Sequence, residues 1–354
     1  MKTIRQLLRH PRITTLIHWE FWPFWAVYLP MLPWWLLECI RCRSLGFFAA
    51  ANPGIPFGGL MGESKKDIHA ILPSHLYPST LHFEPGTQPS IVIPEIQAAG
   101  MSFPMIGKPD IGGKGRGVKR LDDVEALEAY ASVAVMAYHI QPFVPLEREV
   151  GIFYHRIPGG PMGVVSGIVG KEFMTVTGDG YRSIRELLAD DLRGAVYLND
   201  LARSMGDAIL EVPAPGEIRQ VAHIGNHARG ARFIDLSDQI SPELNSRMDR
   251  IADQIPGFCF GRFDIRYRTW EAFLRGEDFM VIEVNGAGSE PTHMYDPSHG
   301  PRFAWREIKR HWEIMGRIAR ANKTNGHVYL TFRECLRMLF LERRTSALLK
   351  QMPI

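Results

Sequence analysis

Residues 103–117, Phe-Pro-Met-Ile-Gly-Lys-Pro-Asp-Ile-Gly-Gly-Lys-Gly-Arg-Gly, limit the fold more than any other stretch of the chain. Residues 103–106 are a short apolar run that reads as a buried strand. Lys108 stands at its end, and Gly112, Gly113, Gly115 and Gly117 follow closely. Glycines let backbone N–H groups approach anionic oxygens, and a lysine ammonium neutralises their charge. A strand, a lysine and a glycine loop in that order therefore suit a polyphosphate. A plain turn has the same composition. The stretch is not a P-loop, because neither Ser nor Thr follows Lys114 and no helix start is evident.

A chain of 354 residues can bury a full core and hold two or three subdomains. Its net charge of +3 is too small to argue for nucleic acid. Cys39, Cys42, Cys259 and Cys335 form no disulfide framework, and the Cys39–Cys42 spacing has no second ligand pair beside it. A reducing compartment fits this usage.

The N-terminus has the least ordinary composition. Lys2, Arg5, Arg9 and Arg12 alternate with Ile4, Leu7, Leu8 and Ile13, and residues 21–37 then carry no charge. Trp19, Trp22, Trp25, Trp34 and Trp35 crowd the edges of that run. It is at the short limit for a spanning helix, and Pro23, Pro30 and Pro33 interrupt it. Arginines on both sides place both ends on the cytoplasmic face, which one span cannot satisfy. A re-entrant or in-plane segment satisfies it, with residues 29–33 deepest. An aromatic arm packed on the rest of the chain, or on a second subunit, has the same pattern. Residues 333–350 make another basic amphipathic stretch, which suits a membrane surface or a homodimer helix equally.

Between these ends, residues 44–62 are rich in Gly and Pro and read as a loop or linker. A helix opened by Ser64 runs to Pro73, and another is expected over 122–138, with Val124, Leu127, Ala131 and Val135 at helical spacing. Strands are expected around 139–144, 149–154, 163–169, 257–267 and 279–285, with short helices at 182–191 and 242–254.

Two of those strands carry the polar residues Arg262-Phe-Asp264 and Glu283-Val-Asn285. Residues two apart face the same side of a strand. If the strands pair, four polar side chains meet on an otherwise apolar sheet, at a cost unless something pairs with them. Asp264, Glu283 and Asn285 are hard oxygen ligands suited to Mg²⁺, and Arg262 suits a transferred phosphoryl group. An internal Arg262–Asp264 ion pair with Glu283 at an edge is the other reading. Thirteen histidines suggest no metal set, since His223 and His227 flank Gly225 with no helix to hold them.

Taken in order, these pieces resemble an ATP-grasp ligase, the superfamily of D-alanine–D-alanine ligase and cyanophycin synthetase. The match runs over roughly residues 60–320. Glu63-Ser-Lys65 resembles the opening helix, whose lysine reaches the phosphates. Met105-Ile-Gly-Lys108-Pro with its glycine loop resembles the flap over the triphosphate. Gln141-Pro-Phe-Val and Glu149 resemble the adenine and ribose hinge, with Gln141 where glutamate is commoner. The segments beginning at Thr177 and Asn226, and the Arg262/Asp264 and Glu283/Asn285 pairs, complete the series. Tyr181 stands where lysine is common. Lys171 is a further candidate phosphate contact.

The resemblance implies an α+β fold of two subdomains gripping ATP, at 63–140 and 141–322. It is flanked by a Trp-rich membrane-associated segment (1–45), a linker (46–62) and a C-terminal basic helix (323–354). It implies ADP-forming ligation of a carboxylate to an amine or thiol, with ATP and one or two Mg²⁺ ions, Mn²⁺ being the alternative metal. The implied catalytic groups are Arg262 and Lys108. The implied ATP contacts are Lys65, Lys108, Gly112, Gly113, Gly115, Gly117, Gln141, Glu149 and Lys171. Joined to the N-terminal reading, this gives an enzyme at the cytoplasmic face of the membrane acting on a lipidic or amphipathic substrate. A soluble amino-acid ligase, a kinase on the same fold and a non-catalytic ATP-binding module are the other readings. The family's pre-ATP-grasp domain is replaced here by the Trp-rich segment, so the acceptor pocket is not predicted.

Overall fold

The computed structural model describes residues 11–352 apart from Lys114, His223 and Ile224. Residues 1–10 of the basic stretch expected over 1–18, and the His223 position, lie outside the described residues.

Prolines break the N-terminal segment as expected. Helix α1 (Pro11–Ile17), α2 (Phe24–Tyr28) and α3 (Leu32–Cys42) are separated by short 3₁₀ turns, with Pro33 in the first turn of α3. No helix among the described residues is long and apolar enough to cross a membrane. One side of the segment packs on the rest of the chain. Trp19, Val27 and Met31 are buried against Met294, Ala304 and Ile308. The Trp19 indole donates to the His299 carbonyl at 2.6 Å, and Trp305 donates to the Val27 carbonyl at 3.0 Å. The opposite side is bare: Leu16, Ile17, Phe24, Trp25, Leu29, Leu36 and Ile40 are exposed.

Residues 46–62 differ from the expected linker. They fold into 3₁₀ turns at Phe47–Ala51 and Pro56–Gly59, and Phe47, Phe48, Ala50 and Ala51 are buried. Their apolar side chains pack on Met315, Ile318 and Ala319, and Asn52 ties the segment to the Phe260 backbone at 2.8 and 2.9 Å. Glycine and proline here shape a buried path.

The first α+β unit begins with α4 (Lys65–Ile71), capped by Ser64, whose hydroxyl accepts from the Asp67 N–H. β1 (Leu81–Phe83), α5 (Pro89–Ala98), β2 (Met105–Pro109), β3 (Lys119–Leu121), α6 (Val124–Val133) and β4 (Tyr138–Pro142) follow. The strands form an antiparallel sheet in the order β1-β4-β2-β3. Helix α6 is shorter than expected, because Tyr138 is drawn into β4 opposite Pro109.

The second unit holds β5 (Arg148–His155), β6 (Val164–Glu172), β7 (Thr175–Thr177), α7 (Ile184–Asp190), α8 (Leu192–Met205), β8 (Ile218–Gln220) and β9 (Arg232–Asp235). It continues through α9 (Pro242–Ala252), β10 (Phe260–Tyr267), α10 (Trp270–Arg275) and β11 (Phe279–Asn285). Its main sheet is antiparallel in the order β11-β10-β5-β6-β9, with β7 and β8 paired separately. The chain ends in α11 (Pro301–Thr324) and α12 (Phe332–Leu349). No element was expected over α11, since buried polar Glu307, His311 and Asn322 dilute its apolar stripe. The tip of α12 crosses to the first unit, where Leu349 and Met352 join the core of the β1-β4-β2-β3 sheet.

Candidate functional site

The expected strand pairing is present. In the β10–β11 register Asp264 lies opposite Glu283 and Arg262 opposite Asn285. Directly opposed residues share a face, so both pairs look the same way. Asp264 is buried, and Arg262 clamps it through Nε at 2.9 Å and Nη2 at 3.1 Å. Lys171 lies 3.3 Å from it. Burial alone would raise the Asp264 carboxyl, but Arg262 and Lys171 hold it below its ordinary value. The internal ion pair and the oxygen-ligand set therefore share Asp264. A carboxylate has lone pairs enough for both.

Glu149 and Lys171 belong to this network. Lys171 donates to Glu149 at 2.7 Å, and Arg266, paired in register with Glu149, reaches it at 3.4 Å. Each has a partner within the protein, which buried charge requires.

Across the cleft, Lys108 ends β2. It is 6% exposed, and burial followed by repulsion from Lys65 pushes its ammonium down to about 7, against the attraction of Glu283. Lys65 donates to the carbonyls of Asp110 at 3.4 Å and Gly112 at 3.3 Å, anchoring the start of the glycine loop. Gly115 and Gly117 have φ of 67° and 70°, a backbone region that side chains disfavour. The Tyr130 hydroxyl donates to the Gly117 carbonyl at 2.9 Å.

Both walls bound one cavity of about 610 Å³. Lys65, Lys108, Gly112, Gly113, Gly115, Gln141, Glu149, Lys171, Arg262, Asp264, Glu283 and Asn285 line it, while Gly117 does not. Two lining residues carry buried polar atoms without a partner in the protein, Gln141 Oε1 and Asn285 Nδ2. Buried polar atoms of this kind ordinarily mark a missing ligand, ion or water.

Several groups in or beside the cavity have no individual role predicted from the sequence. Glu63 accepts from the Gly286 N–H at 2.7 Å, and burial pushes its carboxyl up to about 7. Arg116 faces the cavity from within the loop. The N-terminal segment supplies the far wall through Glu20, Phe21, Trp22, Pro23 and Phe24. Glu20 pairs with Arg193 and accepts from His227 at 3.2 Å. Glu290 accepts from the hydroxyls of Tyr28 at 2.7 Å and Tyr295 at 2.9 Å. The wall left unassigned by the sequence is thus built by the N-terminal segment, whose Tyr28 lies 262 positions before its partner Glu290.

No protein-family model and no curated protein matches the chain. Among solved structures it is similar to a bifunctional glutathione synthetase from Pasteurella multocida, with 16% identity and a TM-score of 0.37 over 71% of this chain and 35% of the other. It is also similar to the VanG D-Ala:D-Ser ligase from Enterococcus faecalis (14%, 0.42, 72% and 61%). A third is D-alanine–D-alanine ligase from Bacillus anthracis (13%, 0.39, 74% and 67%). The chain spans about a third of the first and under two thirds of the second. These overlaps are partial.

Proposed function

We propose that the chain is an ATP-grasp ligase, ADP-forming, which joins a carboxylate to an amine or thiol through an acyl phosphate. One observation carries the reading. Lys108 and its glycine loop face Asp264, Glu283 and Asn285 across one cavity, with Gln141 and Asn285 each holding an unpartnered buried polar atom. A triphosphate laid between them meets cations on one wall and oxygen ligands on the other.

The residues divide the work. Lys65, Lys108 and Arg116 neutralise phosphate oxygens, and the loop glycines give backbone N–H groups close access. Gln141, on β4 opposite Ile106, satisfies its amide on adenine. Asp264, Glu283 and Asn285 fit Mg²⁺ or Mn²⁺ as a hard oxygen set, and a bound ion neutralises the charge shared by the phosphates. A substrate carboxylate oxygen attacks the γ-phosphorus, the bond to the β–γ bridging oxygen breaks, and ADP departs. Arg262 stabilises the equatorial oxygens as charge spreads over them. The amine nitrogen then bonds to the acyl carbon, phosphate leaves with its oxygen, and one amine proton is released. Closure of the loop excludes water, which would otherwise hydrolyse the intermediate.

The finer reading places the enzyme on the cytoplasmic face of the membrane with a lipidic or amphipathic acceptor. Its support is the bare side of the segment that walls the cavity, where Trp25, Leu29 and Ile40 are 67%, 62% and 72% exposed. A soluble amino-acid ligase of the D-alanine–D-alanine type uses the same site without that surface. Hydroxylamine added with Mg·ATP and a cell extract tests the chemistry. An acid-dependent hydroxamate with stoichiometric ADP is expected. A stable phosphorylated product would make it a kinase, and ATP binding without turnover a binding module.

A further inference from the structure

Beside the phosphate-facing wall, three elements bring histidines together. His82 on β1 pairs in register with His139 on β4, and Lys108 on β2 lies opposite His139 on its other side. The three form one row across the sheet. Helix α4 crosses that row with His69. The His69 ring centroid is 5.7 Å from that of His82 and 5.8 Å from that of His139, and the latter two are 4.3 Å apart. One ring nitrogen from each lies within 4.8 Å of the others.

The hydrogen bonds around the cluster set its chemistry. His139 Nε2 donates to Asp110 Oδ1 at 2.7 Å, which puts that ring's proton on Nε2 and leaves Nδ1 a bare lone pair. That Nδ1 faces Nδ1 of His82. His69 Nδ1 is buried without a partner. Asp110 is fixed by the Ser64 hydroxyl at 3.0 Å and the Lys66 N–H at 2.9 Å. Tyr77 stacks on the His69 ring at 4.5 Å. A carboxylate that holds a histidine by its far nitrogen is the usual outer support of a ligating imidazole. Burial, then the nearby Lys108 and His139, keep His69 uncharged down to about 3, and burial with His139 keeps His82 uncharged to about 4. Neutral imidazole is the form that binds metal.

We propose that His69, His82 and His139 hold a divalent transition metal of the zinc class, with Asp110 as their outer carboxylate. Three nitrogen donors without a directly ligating carboxylate suit Zn²⁺, and disfavour Mg²⁺, which takes oxygens. Bonds of about 2.0–2.1 Å to a tetrahedral ion space the ligating nitrogens by about 3.3 Å, so an ion bound here parts the His82 and His139 nitrogens from their present contact. His82 is exposed, so the fourth position opens to water. Asp110 offsets the charge beside Lys108. The bound ion fastens α4, which begins at Lys65, to the sheet that carries Lys108, and so sets the spacing of the two lysines. The site is separate from Asp264, Glu283 and Asn285 and holds whether or not the chain is a ligase.

The test uses the full chain, stripped with chelator, dialysed against Zn²⁺ alone, passed through gel filtration and counted by elemental mass spectrometry. About one Zn²⁺ per chain is expected, unaffected by millimolar Mg²⁺, together with visible ligand-field bands of a tetrahedral nitrogen site when Co²⁺ replaces it. His82→Gln, on an exposed edge position, is expected to lose the retained zinc, while Glu283→Gln keeps it. Wild-type protein that retains no zinc and gives no Co²⁺ bands would overturn the site and leave a shared proton between His82 and His139. Undiminished zinc in His82→Gln would overturn it as well.

Discussion

Asp264 on β10 lies directly opposite Glu283 on β11, and the two carboxylates face Lys108 across a single cavity. Asp264 also anchors two cations, Arg262 and Lys171. Removing its charge therefore does two things. Asp264→Asn is expected to lower turnover about 10²–10³-fold, and also to destabilise the fold by about 3–5 kcal/mol as buried cations lose their partner. Glu283→Gln, which no ion pair of this network requires, is expected to lose similar activity with a smaller drop in Tm. Paired kinetics and thermal melts check this, and equal melting losses would contradict it.

Lys108 gives the site a pH dependence whose sign is fixed. In the unfolded chain it stays protonated up to the ordinary lysine range, whereas in the ligand-free fold burial lowers it to about 7. Between those values the unfolded state binds more protons, so this group's contribution to stability rises with pH from about 7 upward. A triphosphate beside the amine favours its charged form, so nucleotide binding at pH 8 is expected to take up a proton. Calorimetry in buffers of different ionisation enthalpy reads that uptake, and Lys108→Met should abolish it.

Glu63 behaves in the opposite sense. Burial raises its carboxyl to about 7, so the folded state binds more protons than the unfolded chain between the ordinary glutamate range and that value. Its contribution is complete below that window and is lost as pH rises through about 7. Glu63→Gln keeps an acceptor for the Gly286 N–H and removes the charge. The variant is expected to melt higher than wild type at pH 8 and to match it near pH 5.

The bare N-terminal face predicts a surface phenotype. Trp25→Ser with Ile40→Ser should reduce sedimentation with anionic vesicles while leaving the melting temperature within a few degrees. Wild-type protein that shows no preference for vesicles over buffer would end the membrane reading and favour the soluble ligase.

Legibility followed distance along the chain. The Arg262/Asp264 and Glu283/Asn285 faces were readable because strand alternation places residues two apart on one side, and Lys108 with its glycines is a contiguous run. Glu63, Glu20 and Tyr28 were not readable as site residues, since each gains its meaning from partners more than 170 positions away. His69, His82 and His139 have no common spacing; a helix and two strands bring them together. Residues 46–62 misled because glycine and proline mark a change of direction whether the path is exposed or buried. The prolines of the Trp-rich run gave its breaks correctly, yet composition could not tell which side would pack on α11.

Equilibrium dialysis of labelled ATP tests the grip between the two walls most directly. Wild-type protein is expected to bind ATP more tightly with Mg²⁺ than in chelator. Lys108→Met is expected to weaken binding about 10- to 100-fold, and Glu283→Gln to remove the Mg²⁺ enhancement. Binding that is absent in wild type, or indifferent to Mg²⁺ and to both substitutions, would contradict the account.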